Sequence, residues 1–491
     1  MPIRTMKLLA IDLGASGGKA VLGDFAGGRL AVSELRRFPN GMVDVHGHKH
    51  WDVLRLAGEC QECLRAAGAD LASAGIDTWG VDYGYVGADG DLLGLPFAYR
   101  DARTAGAIGR VHAAIAPERL YAASGLQFMP INTLYQVADD LQARPWLVEK
   151  ADKLLLMPDL LAFLLTGRRA AEYTIASTTG LLDARRRQWS AEVLGAIGFP
   201  PERLAELAAP GEARAALAAE VARETGSRAE IVWPAGHDTA GAVAAVPAAG
   251  EDWAFLSTGT WLLAGMELAA PVLSAAARER NFTNEGGVGG KVRFLKNVTG
   301  LWLLEELRRG WGRAGRGPDW AAIALEALRA PAFASLVDPD DPGLAAPADM
   351  AAAIGDFCRR TGQPAPEGVG PLARCVFESL ALACRRTLRL LAEVTGRSIR
   401  KLHAVGGGSR NELLCAMLAE ACAIPVLAGP AEATALGNLL VQAIARGLVA
   451  DLAEGRRLVA ASVAPREYLP GRERAAWEEA AGRFERLFGG R

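Results

Sequence analysis

The pattern of apolar and polar positions repeats once along the chain. Leu8-Leu9-Ala10-Ile11 is an apolar run closed by Asp12; Leu13-Gly14-Ala15-Ser16-Gly17-Gly18-Lys19 follows, and Ala20-Val21-Leu22 is apolar again. The same order returns as Trp253-Ala254-Phe255-Leu256, then Ser257-Thr258-Gly259-Thr260, then Trp261-Leu262-Leu263-Ala264. Strand, small-residue turn and strand is a hairpin signal. Two such openings predict an internally duplicated α/β protein with a cleft between its halves. Around them, the pattern predicts a meander from Phe25 to Phe38 and a helix over 52–71 with Leu54, Leu56 and Leu64 on its apolar positions. It further predicts a strand near 74–84, a turn at Asp89-Gly90, and a strand or turn at 154–159 leading into a helix through Leu165. Surface helices are expected over 200–230, a strand at Ile231–Trp233, a long helix over 372–391, a strand at 402–405 and helical surface structure after Arg446.

At 491 residues the chain is too long for one core, so two large domains are expected. The formal net charge of −2 supplies no bulk attraction to nucleic acid or to an anionic membrane. No apolar run reaches the roughly 18 residues of a membrane helix, and no signal peptide is visible, so the cytoplasm is the expected compartment. Seven cysteines, an odd number mostly in apolar helical contexts, argue against a disulfide framework. Cys60 and Cys63 form a CxxC inside a predicted helix with no second pair nearby, which reads as buried thiols.

The candidate chemistry begins at Gly236-His237-Asp238-Thr239, where the strand at Ile231–Trp233 breaks before a small-residue helix. A carboxylate at a strand-to-helix turn beside a histidine suits a general base for a hydroxyl proton; it equally suits a helix cap. The turn Ala15-Ser16-Gly17-Gly18-Lys19 exposes backbone N–H groups with a hydroxyl and an ammonium at hand, which suits phosphate or an ordinary hairpin. It is neither a P-loop nor a GxGxxG fingerprint. Asp77, Trp79 and Asp82 around Gly80 would suit a sugar, an aromatic against the ring and carboxylates for its hydroxyls, or a core tryptophan with turn aspartates. His46, His48 and His50 alternate on one strand face without a partner at metal-ligand spacing, so a solvated or sugar-facing edge is expected there. Gly406-Gly407-Gly408 between a strand and a helix would let a flat base or ribose lie against backbone, or form a simple turn.

In order, the Asp-Leu-Gly turn at Asp12, Gly236-His237-Asp238, Ser257-Thr258-Gly259-Thr260 and Gly406-Gly407-Gly408-Ser409 resemble the FGGY carbohydrate kinases of the actin-like ATPase superfamily. Further similar stretches are Gly75–Asp82, Tyr99–Thr104, Gln127–Gln136, Leu154–Leu161, Asn281–Gly287, Phe294–Leu304 and Ala428–Asn438, so the resemblance runs to about residue 465. It implies an α/β fold of two actin-like (ribonuclease H-like) domains closing on ATP and a sugar. The expected boundaries are 1–246, 247–465 and a C-terminal surface helix at 466–491. By resemblance Asp238 is the general base, with His237 and Thr239 at the sugar and Gly80, Asp82 and Asn297 lining its pocket. Ala15, Ser16, Gly17, Gly18, Lys19 and Thr260 would hold phosphates, Gly407 would lie by the adenosine, and Asp12 would position Mg²⁺ through water. The implied reaction is ATP-dependent phosphorylation of a ketose at its 1-hydroxyl, L-rhamnulose first and L-fuculose as the rival, by a monomer or homodimer. An inert sugar-binding regulator of the same fold is the alternative of another class. Two positions depart from the pattern. The first phosphate turn usually reads Ala-Ser-Ser-Gly-Arg, so here a hydroxyl is lost and a point charge replaces a planar fork. Glu305 stands where relatives often carry Gln near the nucleotide, and an anion there suits base or ribose rather than phosphate.

Overall fold

The computed structural model describes residues 6–26, 28–259, 261–313, 315, 317–345, 347–471 and 473–489. The chain forms two compact units, neither of them contiguous. Unit 1 comprises residues 1–247, 267–294 and 433–463; unit 2 comprises 248–266, 295–432 and 464–491.

Unit 1 is built on the apolar run that follows the N-terminus. Strand β1 (Met6–Gly14) buries Leu8 through Ile11 and Leu13 completely, as a strand covered on both faces must. It pairs antiparallel with β2 (Gly17–Ala26), which pairs antiparallel with β3 (Arg29–Pro39). On its other side it runs parallel to β4 (Leu71–Thr78). The sheet closes with β5 (Arg214–Ala216) and β6 (Glu230–Val232) in the order β5-β6-β4-β1-β2-β3. The helix Val53–Ala67 presses Val53, Leu56, Cys60, Cys63 and Leu64 into the core that holds Leu9, Ile11, Leu71 and Ile76. Its N-terminus is capped by Asp52, whose side chain accepts from the Arg55 N–H.

The helix Ala433–Ala445 also belongs to unit 1. It packs on β1, on β4 and on the helix Asp238–Ala244. The two helices touch backbone to backbone: a Cβ on Gly437 would lie 1.8 Å from the Gly241 carbonyl oxygen. No residue but glycine fits there. Asn438 and Gln442 carry the polar side of this packing. Gln442 Nε2 donates to the Leu9 carbonyl at 2.9 Å, and Ser73 donates to Gln442 Oε1 at 2.8 Å.

Unit 2 repeats the plan. Strand β7 (Trp253–Thr258) pairs antiparallel with β8 (Trp261–Leu268) and parallel with β10 (Lys401–Val405), with β9 (Val292–Thr299) beside β8. Strand β11 (Val426–Ala428) runs parallel to β10, and β12 (Arg466–Tyr468) closes the edge antiparallel. Six strands of this seven-stranded sheet, in the order β12-β11-β10-β7-β8-β9, reproduce β5-β6-β4-β1-β2-β3; the seventh, Thr283–Gly286, lies beyond β9. This is the duplication that the repeated hydrophobic pattern predicts. The helix Val369–Thr395, of 27 residues, supplies much of this unit's buried surface.

Three expectations differ from the structure. The helix over 52–71 stops at Ala67; Leu71 already begins β4, and Leu54 is exposed at 61%. Within 200–230 only Ala219–Thr225 is an α-helix, because the alanines of Arg214–Ala216 are recruited to the sheet edge, where pairing overrides their helix propensity. The segment from 466 onward is not a surface helix alone. It opens with β12, and the helix Arg474–Phe488 buries Trp477, Phe484 and Phe488.

Candidate active site

The parallel strands of unit 1 bring their carboxyl ends together. Register places Asp12 opposite Asp77 and Leu13 opposite Thr78, while Thr78 bridges to His237 and its N–H donates to the Gly236 carbonyl at 2.9 Å. Asp12, Asp77 and Asp238 thus stand at the carboxyl edge of one sheet, where open α/β sheets bind ligands. Asp12 is buried on β1, and its Oδ2 lies 3.1 Å from Lys19 Nζ, its register partner across the hairpin. Lys19 is therefore a strand residue rather than part of the turn. The turn is made by Ala15 and Ser16, tied down by Asn40 donating to the Gly14 carbonyl at 2.8 Å. Gly18 packs so tightly that a Cβ would meet the Phe38 ring at 2.3 Å, whereas Gly17 meets nothing closer than 3.4 Å.

Asp77, which the sequence offered with Trp79 and Asp82 as a carboxylate for sugar hydroxyls, is instead fully buried. Its Oδ2 accepts from Asn438 Nδ2 at 2.6 Å, and its Oδ1 has no hydrogen-bond partner. Burial pushes its carboxyl well above the usual range; the charges of Asp12 and Asp238 push the same way, and Asn438 opposes them.

His237 and Asp238 sit at the start of the helix Asp238–Ala244. His237 occupies the N-cap position without a side-chain capping bond. Asp238 Oδ1 accepts from the Thr239 N–H at 2.5 Å and from the Thr239 hydroxyl at 3.1 Å, and His237 Nε2 lies 3.4 Å away. The Asp238 side chain keeps a third of its surface exposed, so it can meet a bound hydroxyl. Glu172, missed from the sequence, clasps the loop from below. Its carboxylate accepts from the Gly236 N–H at 2.9 Å, from the Thr174 N–H and hydroxyl, and from the Ile175 N–H. Burial pushes the Glu172 carboxyl up, and these donors pull it back.

Behind His237 stands a buried ion pair. Arg293, fully buried, places Nη1 3.1 Å from Glu285 Oε2 and Nη2 3.0 Å from His237 Nδ1. Burial raises Glu285, but the Arg293 charge and the His237 contact outweigh it and hold the carboxyl below its ordinary value. Glu285 lies inside the resembling stretch Asn281–Gly287 and Arg293 just before Phe294–Leu304, but nothing in the sequence pairs the two.

Gly80 lies next to this group: a Cβ there would meet Thr178 Oγ1 at 3.2 Å and His237 Nε2 at 3.4 Å. Val81 follows with φ of 70°, a left-handed conformation that costs energy in a β-branched residue. Thr133 holds that turn by donating to the Val81 carbonyl at 2.6 Å. Asp82 is 1% exposed and accepts from Trp51 Nε1 at 2.6 Å, Trp79 Nε1 at 2.9 Å, the Tyr99 N–H and Gln136 Nε2. Burial pushes its carboxyl up to about 6, with those donors lowering it. So placed, Asp82 braces the turn that carries Gly80, and protein donors take the place expected for sugar hydroxyls. The three histidines do not share one strand face: His46 falls in the turn between two short strands with φ of 50°, while His48 faces Asp101 and His50 stacks on Phe97.

Unit 2 carries the remaining candidates. Gly406 has φ of 86°, and a Cβ would press on the Thr258 carbonyl oxygen at 2.9 Å. Gly408 would press on Leu301 at 2.7 Å and Thr258 at 2.8 Å, whereas Gly407 is exposed with nothing within 4 Å. The glycine run thus offers one open backbone surface supported by two close approaches. Asn297 on β9 and Glu305 on the helix Trp302–Arg313 are half-buried, and burial raises the Glu305 carboxyl against the pull of Arg309 and Arg308. Thr260 lies outside the described residues.

The FGGY family of carbohydrate kinases, N-terminal domain, matches residues 7–245, and its C-terminal domain matches residues 254–446. The chain belongs to this family. It is an ATP-dependent sugar kinase of the two-domain FGGY fold. FGGY relatives similar to it include the rhamnulokinase of Bacteroides thetaiotaomicron, 44% identical over 475 residues, covering 96% of this chain and 97% of that protein. The rhamnulokinase of Halalkalibacterium halodurans is 38% identical over 464 residues, covering 94% and 98%. Among solved structures, gluconate kinase from Lactobacillus acidophilus superposes with a TM-score of 0.82 at 17% identity, over 99% of this chain and 98% of that one. Xylulose kinase from the same organism gives 0.81 at 16%, with the same coverage. At that identity the likeness speaks for the FGGY fold alone. Among the described residues no helix is long and apolar enough to cross a membrane.

Proposed function

We propose that the chain transfers the γ-phosphoryl group of ATP to the 1-hydroxyl of L-rhamnulose. The observation that carries this reading is the 44% identity to a rhamnulokinase across both domains. The chemistry of unit 1 supports it. Asp238 is the general base: a part-exposed carboxylate whose Oδ1 is oriented by Thr239 and His237, ready to take the hydroxyl proton as phosphorus is attacked. His237, Thr239, Gly80 and Asn297 line the sugar, with Asp82 bracing Gly80 from behind. The turn at Ala15 and Ser16, with Gly17, Gly18 and Lys19 opening the strand after it, is the segment we assign to the phosphates; the assignment of Thr260 to phosphate rests on its sequence motif alone. Gly407 offers its open backbone to adenosine, and Glu305 meets base or ribose.

Asp12 is the residue that would hold Mg²⁺. The chemistry of the residue fits: Asp12 is a carboxylate, the hard oxygen ligand this ion takes, at the carboxyl end of β1. Mg²⁺ takes few protein ligands and keeps water and phosphate oxygens. When bound, the ion neutralises charge on the phosphates. Phosphoryl transfer otherwise asks the protein for alignment and charge, which Asp238, Lys19 and the turn supply.

Sugar and ATP are the partners, without nucleic acid or membrane, and the chain acts as a monomer or homodimer. All seven cysteines are free thiols, which suits the reducing cytoplasm where we place the enzyme. The reading is tested by ³¹P NMR of the product made from L-rhamnulose and ATP. A phosphate ester on C1 supports it; an ester on another carbon, or no ester, overturns it.

A further inference from the structure

We propose that Arg293, with Glu285 as its counter-ion, is a positioning residue that fixes the ring proton of His237 on Nε2, where it holds Asp238. The inference rests on the reading of Asp238 as base. A guanidinium only donates hydrogen bonds. Arg293 Nη2 lies 3.0 Å from His237 Nδ1, so Nδ1 must offer its lone pair. The single proton of a neutral imidazole then sits on Nε2, and Nε2 faces Asp238 Oδ1 at 3.4 Å.

The guanidinium is itself held. Nε donates to the Gly286 carbonyl at 2.8 Å, Nη1 meets Glu285 at 3.1 Å, and the Gly286 N–H donates to Ser177 at 2.6 Å. Glu285 Oε2 also lies 3.4 Å from His237 Nδ1, farther than Arg293. Without Arg293 that carboxylate would attract a proton to Nδ1 and turn the Nε2 lone pair toward Asp238. The charged groups around His237 are Arg293 and Glu285 behind it, Asp238 on its own helix, and Glu172 beneath Gly236. Arg293 therefore neutralises the Glu285 charge and selects the tautomer in one contact, the kind of second partner that decides which histidine nitrogen does the work.

The test is ¹⁵N NMR of the full chain labelled at histidine, with the His237 signals assigned by their loss in His237→Gln. The expected wild-type result at neutral pH is a neutral ring protonated on Nε2. Protonation on Nδ1, or an imidazolium, overturns the proposal without needing any Arg293 variant to fold. In Arg293→Met the proton should move to Nδ1, and kcat should fall about tenfold or more, with KM for ATP little changed. Arg293→Lys, which can still donate to Nδ1, should keep the Nε2 tautomer and recover most of the activity. A tautomer that moves in Arg293→Met with kcat intact overturns the positioning role. An Asp238→Asn enzyme that stays active would remove the base reading while leaving the tautomer result standing, so the two failures are separable.

Discussion

Lys19 Nζ sits 3.1 Å from Asp12 Oδ2 across the first hairpin, in strict register, with the two side chains 19% and 11% exposed. The ammonium that the sequence places in a phosphate turn is thus partly committed to the carboxylate expected to position Mg²⁺. Replacing it leaves a buried anion without its neighbouring cation and the phosphates without a donor. Lys19→Ala should lower kcat/KM for ATP by about tenfold or more, the scale of one charge-assisted contact, with KM for the sugar little changed. Steady-state kinetics with each substrate varied in turn checks this; unchanged ATP kinetics would take the hairpin out of the active site.

Asp238→Asn keeps the size of the side chain and an oxygen for the Thr239 donors, but it cannot take a proton. We expect kcat to fall about 100-fold or more, with ATP and sugar affinities close to wild type. Calorimetric binding beside turnover separates the two. An enzyme retaining more than about a tenth of wild-type kcat is incompatible with base catalysis by this residue.

Gly407 and Gly408 are neighbours with opposite surroundings. A methyl group on Gly408 meets Leu301 and Thr258, whereas one on Gly407 meets open space. Gly408→Ala should therefore destabilise unit 2 by about 1–3 kcal/mol through overpacking. Gly407→Ala should leave the thermal midpoint unchanged and raise KM for ATP. Thermal unfolding and ATP titration of both variants check the pair. A Gly407→Ala enzyme with normal KM for ATP would mean that the open backbone does not face adenosine.

Much of this organisation is legible in the sequence because it is local. The two hairpins, the strand before Gly236 and the long helix at Val369–Thr395 each follow from an apolar run with a small-residue break. What the sequence hides is made by distant pairs. Asp77 becomes a buried acid because Asn438 and Asp12 arrive from elsewhere in the chain, and Arg293 reaches His237 across 56 residues. Asp82 reads as a sugar ligand by composition, yet Trp51, Trp79, Tyr99 and Gln136 converge on it. The alanines of Arg214–Ala216 pair with β6 in spite of their propensity.

Asp82 also gives stability a pH dependence. Its carboxyl rises from 3.8 to about 6 on folding because burial disfavours the charge. The folded state therefore holds a proton that the unfolded chain has lost between those values, and stability falls as pH rises through that window, by at most about 3 kcal/mol. Glu285, held low, acts with the opposite sign and only below the ordinary glutamate range. Other buried acids share the sign of Asp82, so the check is a difference: urea unfolding of wild type and Asp82→Asn at pH 4.5 and 6.5. The variant should be less stable throughout and should lose part of the fall in stability seen in wild type. Equal pH slopes would show that Asp82 is ionised throughout.

An ATP-dependent kinase for L-rhamnulose must release ADP only when its sugar is present. Coupled ADP release with ATP and Mg²⁺, across L-rhamnulose, L-fuculose, L-ribulose, xylulose and glycerol, tests it most directly. L-rhamnulose should give the highest kcat/KM, and ADP release without sugar should be negligible. A higher kcat/KM for another sugar would contradict the substrate, and silence across the panel with sugar binding still detectable would contradict the kinase.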